Sequence, residues 1–153
     1  KLGALQYHFR TWDILLTELV NYIDSEITSA FESGGWSSDD ASIPDLVEFM
    51  LDEHVGTLDG LFSDRLWAQL WAMEQVEPLV SDLLEDVYAK FLLILETKIA
   101  TYGVKQPRSE ALAIMSMIEG ESLFMGAGRR WMTDRSSVRE VILSFVAQRY
   151  SRA

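Results

Sequence analysis

Apolar positions recur every three or four residues along nearly the whole chain, and the strict alternation of a half-buried strand is almost absent. The pattern predicts an all-α protein. A short first helix would end at Phe9, with Leu5 and Phe9 on one face and Gly3, Gln6 and Tyr7 towards the other. Arg10-Thr11 reads as a tight corner, with Thr11 as N-cap and Asp13 in the first turn of the next helix. That second helix runs from Trp12 to about Ser33, its apolar stripe Leu16, Leu19, Val20, Ile23, Ile27 and Phe31. Gly34 to Asp40 is a loop by composition.

Ser42-Ile43-Pro44-Asp45 opens a third helix with a capping-box-like start and Pro in the first turn, and places Leu46, Phe49, Met50 and His54 on one face. Gly56 to Gly60 breaks the pattern before a helix from about Asp64 to Gln75, which carries Leu66, Trp67, Leu70, Trp71 and Met73. Glu77-Pro78 forces a corner, because the residue before Pro is disfavoured in a helix and Pro suits a helix start. The helix after it reaches about Tyr102, with Val80, Leu84, Val87, Tyr88, Phe91, Leu95 and Ile99 inward and Gly103 as its stop.

The last two helices differ. From about Ser109 to Met125 apolar side chains cover most of the circumference, namely Ala111, Leu112, Ile114, Met115, Met117, Ile118, Leu123 and Phe124. Arg129 and Arg130 follow, where cations suit a helix C-terminus. Ser137-Val138-Arg139-Glu140 can be a capping box, and Val138, Val141, Ile142, Phe145 and Tyr150 make the final stripe. A chain this small has too few other helices to cover both, so the pattern predicts a homodimer through residues 109 to 151.

Charge sharpens this picture. The formal net charge is −11, which argues against nucleic-acid binding by the bulk of the chain. Every Lys, Arg, Asp and Glu between Arg10 and Arg65 is acidic, from Asp13 to Asp64, whereas the residues before carry Lys1, His8 and Arg10. There is no cysteine, and no apolar run approaches the roughly 18 residues of a membrane span, so a cytoplasmic protein without membrane association is expected.

Enzyme chemistry finds no local support. With only His8 and His54 there is no Glu-x-x-His pair for a di-iron bundle and no His-Glu-x-x-His zinc motif, and no strand precedes a Gly-rich phosphate loop. No catalytic residue, metal site or cofactor is expected.

The stretch Gly3 to Leu16, "GALQYHFRTWDILL", resembles the junction in tetracycline-repressor-like (TetR family) regulators, where a recognition helix ending in a Tyr-His-Phe type motif meets the next helix at Ser/Thr-Lys-Glu-x-Leu-Leu. Tyr7-His8-Phe9 and Thr11-Trp12-Asp13-Ile14-Leu15-Leu16 hold those places. "LWAQLWAMEQVEPLVSDLL" is similar to the family's stretch between its sixth and seventh helices, and "ALAIMSMIEGESL" to its eighth-helix dimerisation segment. The resemblance covers the chain in helix order and departs at Trp12, where the family carries a phosphate-touching Lys.

It implies that residues 1–10 are a remnant of the DNA-recognition helix, the chain starting inside that helix, and that 11–153 form an effector-binding and dimerisation domain whose last two helices build a dimeric four-helix bundle. Operator DNA would be met by Lys1, Gln6, Tyr7 and His8. A small lipophilic effector would lie among Phe49, Met50, His54, Trp67, Trp71, Tyr88, Phe91, Met115, Ile118 and Glu119, where aromatic and Met side chains converge from four helices. Plain core packing would place the same apolar residues inside. Trp67 and Trp71, one turn apart, could face a ligand or an interface; Glu119 could select a cationic or hydroxylated effector, cap a dimer contact or meet solvent. The alternative function is a helical protein-interaction module or a helical-bundle enzyme.

Overall fold

In a computed structural model the described residues are 11–33, 41–53 and 64–150, and all their regular structure is helical. Six α-helices follow one another: α1 (Trp12–Ser33), α2 (Ile43–Glu53), α3 (Asp64–Met73), α4 (Pro78–Ala100), α5 (Pro107–Met125) and α6 (Arg135–Arg149), with a short 3-10 turn (Met132–Asp134) leading into the last. None of these helices is long and apolar enough to cross a membrane.

The helix starts expected from local chemistry are present. The Thr11 hydroxyl oxygen accepts from the Ile14 N–H at 3.3 Å, satisfying one orphan donor of α1. At α2, Ser42 Oγ accepts from the Asp45 N–H at 3.2 Å while Asp45 Oδ2 accepts from the Ser42 N–H at 3.1 Å, a capping box closed by Asp. Glu77 is extended at φ −121° and ψ 100°, and Pro78 opens α4 behind it. After α4 the chain turns through Gly103 at φ +70°, a left-handed conformation that a side chain would strain.

α4 is the shared wall of two apolar clusters. On one side Leu83, Leu84, Val80 and Val87 pack with Leu16 and Ile23 of α1 and Trp67 and Leu70 of α3. On the other, Leu95 and Ile99 pack with Leu46, Val47 and Met50 of α2, Ile114, Met115 and Ile118 of α5, and Ile142 and Val146 of α6. Tyr88 and Phe91 touch both clusters, so the middle of α4 is where the halves of the core meet. Fully burying each such aliphatic side chain contributes about 1.5–3 kcal/mol.

Two expectations for the last helix are corrected. α6 begins at Arg135, behind the 3-10 turn and Asp134, so Ser137 to Glu140 lie within the helix and form no capping box at its start. Val141 and Phe145 are 67% and 52% exposed, and Val146, absent from the expected stripe, is fully buried in their place. The side chains at 138, 142, 146 and 150 face inward. On α1, Leu19 is likewise 37% exposed; the side chains of Ile27 and Phe31 lie outside the described set.

Candidate functional site

Four of the expected site residues come together where α3, α4 and α5 meet. The α3 register puts Trp67 and Trp71 one turn apart on the side facing α4; Trp67 is buried and Trp71 half-buried. The Trp71 indole N–H donates to the Tyr88 hydroxyl at 2.8 Å, and the Trp67 and Tyr88 rings lie 6.0 Å apart at 47°. The Tyr88 hydroxyl in turn hydrogen-bonds the Glu119 carboxylate from α5. Burial pushes the Tyr88 phenol well above its ordinary range, and the neighbouring Glu119 charge pushes it further, so Tyr88 stays protonated and donates across the neutral range. This node of indole, phenol and carboxylate can exchange its hydrogen bonds for those of a hydroxyl or amine arriving from outside.

The remaining expected contacts are placed differently. Met50, Met115 and Ile118 are core residues at 1%, 6% and 0% exposure, and Phe49 and Phe91 pack against that core. His54, and the expected DNA contacts Lys1, Gln6, Tyr7 and His8, lie outside the described residues.

A second polar assembly was not anticipated. Glu121, two residues beyond Glu119, has a side chain fully closed to solvent, and its Oε1 accepts from Arg135 Nε and Arg139 Nε, each at 2.6 Å. Arg135 also grips Asp64, the first residue of α3, through two bonds of 2.9 and 3.1 Å. Asp64 further accepts from Ser122 Oγ at 2.9 Å and the Ala127 N–H at 2.8 Å. Arg139 reaches the Leu51 carbonyl on α2. Burial pushes the Asp64 carboxyl up, but Arg135, Ala127 and Ser122 together outweigh it and hold it below the usual carboxylate range. Two carboxylates and two guanidinium groups thus pin the start of α3, the end of α5 and the start of α6 as one neutral cluster. The sequence clue was the i, i+4 spacing of Arg135 and Arg139, which aims two forks from one helix face.

Two open clefts flank the node. One, of about 370 Å³, lies between α3 and the end of α5 with its following turn, and is lined by Asp64, Arg65, Ala68, Gln69, Trp71, Ala72, Ser122, Leu123 and Gly126 to Arg129. The other, of about 470 Å³, runs along α4 past Leu84, Glu85, Tyr88, Ala89, Leu92, Leu93 and Glu96, with Glu74 and Arg108 at its edges. Trp71 lines the first and Tyr88 the second, so the hydrogen bond between them joins two clefts of opposite charge. Among the described residues no group of three or more His, Asp or Glu side chains could hold a metal ion.

Compared with known proteins, the chain matches no family model, no curated protein and no solved structure.

Proposed function

We propose that this chain is the effector-binding and dimerisation unit of a ligand-responsive transcriptional regulator of the tetracycline-repressor kind, acting as a repressor, with residues 1–10 contributing to operator contact. The observation that carries the reading is the node of Trp71, Tyr88 and Glu119, a half-buried polar relay held by three helices and open to clefts on both sides. A small effector that takes over one of these hydrogen bonds favours one setting of α3 against α4, and α1, packed on α4, passes that setting to the operator-contacting end.

The outer face of α5 supports the dimer. From Ser109 to Phe124 its exposed residues are Ser109, Leu112, Ala113, Ser116, Leu123 and Phe124, none of them charged. α6, packed on α5, adds exposed Val141 and Phe145. In a chain of net charge −11, the exposed positions of α5 from Ser109 to Phe124 carry no carboxylate, and Glu140 is the one exposed acid of α6.

The test has two arms. Lipophilic amines and alcohols are titrated against wild type and Trp71→Ala by calorimetry, and genomic DNA fragments are selected with the full gene product and challenged with the ligand found. Ligand binding lost in Trp71→Ala and release of a palindromic site support the reading. Ligand binding indifferent to Trp71 overturns the node as effector site, and recovery of no DNA site overturns the regulator. Sedimentation of Phe145→Glu checks the dimer: wild type sediments at twice the monomer mass and the variant as a folded monomer.

A further inference from the structure

The cleft between α3 and the turn after α5 has a charge unlike the rest of the protein. Of the cations in the described residues, Lys90 is paired with Asp24, Arg108 with Glu96, Arg149 with Glu110, and Arg135 and Arg139 with the buried carboxylates. Lys98 reaches the Ala41 carbonyl. Arg65, Lys105, Arg129 and Arg130, all exposed, make no ion pair among the described residues, and of these four Arg65 and Arg129 line this cleft.

Asp64, the single acidic residue among the described lining, is already engaged. Each Asp64 oxygen accepts one bond from Arg135 and a second from Ser122 or the Ala127 N–H, so its lone pairs are engaged away from the cleft arginines and its charge is offset by Arg135. The cleft therefore presents two guanidinium forks in a chain whose net charge is −11.

Its other surface is apolar. The Trp71 N–H is directed to Tyr88, so Trp71 gives the cleft ring surface rather than a donor, and Leu123 beside it is 46% exposed. The wall is also preformed. At Gly126 a Cβ would lie 2.4 Å from the Ser122 carbonyl oxygen and 2.9 Å from Asp64 Cγ, so the turn sits directly against the ionic cluster. A rigid site binds without first ordering its own loop.

We propose that this cleft binds a small amphiphilic carboxylate, its head on Arg65 and Arg129 and its apolar body on Trp71 and Leu123. Guanidinium forks match a carboxylate in two parallel hydrogen bonds, and a volume of about 370 Å³ suits a ligand of roughly ten heavy atoms. The proposal goes beyond the effector reading, since it requires neither DNA nor a dimer. It does place a ligand against Trp71, the residue through which the cleft touches the node.

The experiment is calorimetric titration of the whole chain with octanoate, 1-octanol and octylammonium, three probes that share a tail and differ in head charge. Octanoate is expected to saturate one site per chain, at least tenfold tighter than octanol, and to lose at least tenfold in the Arg65→Gln/Arg129→Gln double variant. Neither arginine makes an ion pair among the described residues, so the variant should keep the wild-type melting temperature and circular dichroism. Octanol or octylammonium binding as tightly as octanoate, octanoate binding that survives the double variant, or no binding at all overturns the proposal. Octylammonium binding that depends on Glu119 but not on the arginines overturns it while leaving the effector reading intact.

Discussion

The Trp12 indole N–H donates to Glu77 Oε1 at 2.9 Å, tying the first residue of α1 to the corner that opens α4. The polar atom of Trp12 is thus engaged within the protein. Trp12 is 55% exposed and the bond lies in water's reach, so it is worth little as a brace. Glu77 is already extended and Pro78 sets the helix start independently. Trp12→Phe should therefore lower stability by about 1 kcal/mol or less, read as a small shift of the urea midpoint with unchanged slope. A loss above about 2 kcal/mol would mean that the corner depends on this strap.

Glu121 is at the opposite extreme. Its closed carboxylate faces two guanidinium groups whose side chains are only 13% and 16% exposed. Glu121→Ala leaves both charges with less than they need, and removing one partner of a buried ion pair costs about 3–5 kcal/mol. Urea unfolding should show a loss of that order. Arg135→Lys should fail to restore stability, because one ammonium cannot span both Glu121 and Asp64 as the planar fork does. A Glu121→Ala protein within about 1 kcal/mol of wild type would show the cluster to be dispensable for folding.

The same cluster dictates an acid limb. The folded Asp64 pKa is depressed despite burial, so its contribution is complete above the unfolded value near 3.9 and is lost as pH falls through the folded value. Stability should fall below about pH 4 in wild type. Asp64→Asn removes the titrating group: the variant should melt lower at pH 7, lose less between pH 4 and 2, and converge on wild type at the acid end. Melting temperatures across pH 2–7 check this, and parallel curves for the two proteins would contradict it. Glu110, also depressed by Arg149 and Tyr150, is a surface pair and contributes far less.

Local chemistry was legible where neighbours in sequence decide it. Ser42 with Asp45, Glu77 with Pro78, and Gly103 each set a helix end through contacts of three residues or fewer, and those ends stand as read. Helix register also puts Trp67 and Trp71 on one face, but which side that face meets, and its contacts with Tyr88 and Glu119, depend on how α3, α4 and α5 dock. The Asp64–Arg135 contact spans 71 residues and depends on how three helices dock, which no local pattern records. Apolar periodicity also failed to orient α6, since a stripe of Val138, Val141, Ile142 and Phe145 is too broad to tell the side facing the chain's own core from the side left exposed.

Glycines separate steric need from conformational need on the same stretch of chain. Gly126 has φ −61° and ψ 174°, an ordinary extended conformation, so only the missing Cβ matters there. An added methyl would lie 2.4 Å from the Ser122 carbonyl oxygen and 2.9 Å from Asp64 Cγ, forcing the ionic cluster to move. Gly126→Ala should cost about 1–3 kcal/mol, the usual penalty of overpacking. Gly120, inside α5, has nothing within 4 Å of its Cβ position and pays the entropy of a helical glycine. Gly120→Ala should therefore stabilise the monomer by about 0.5–1 kcal/mol. Urea midpoints measured at low protein concentration test both signs together. A destabilised Gly120→Ala that recovers nothing on dilution would mean that the exposed side of α5 is packed more tightly within the chain than its geometry indicates.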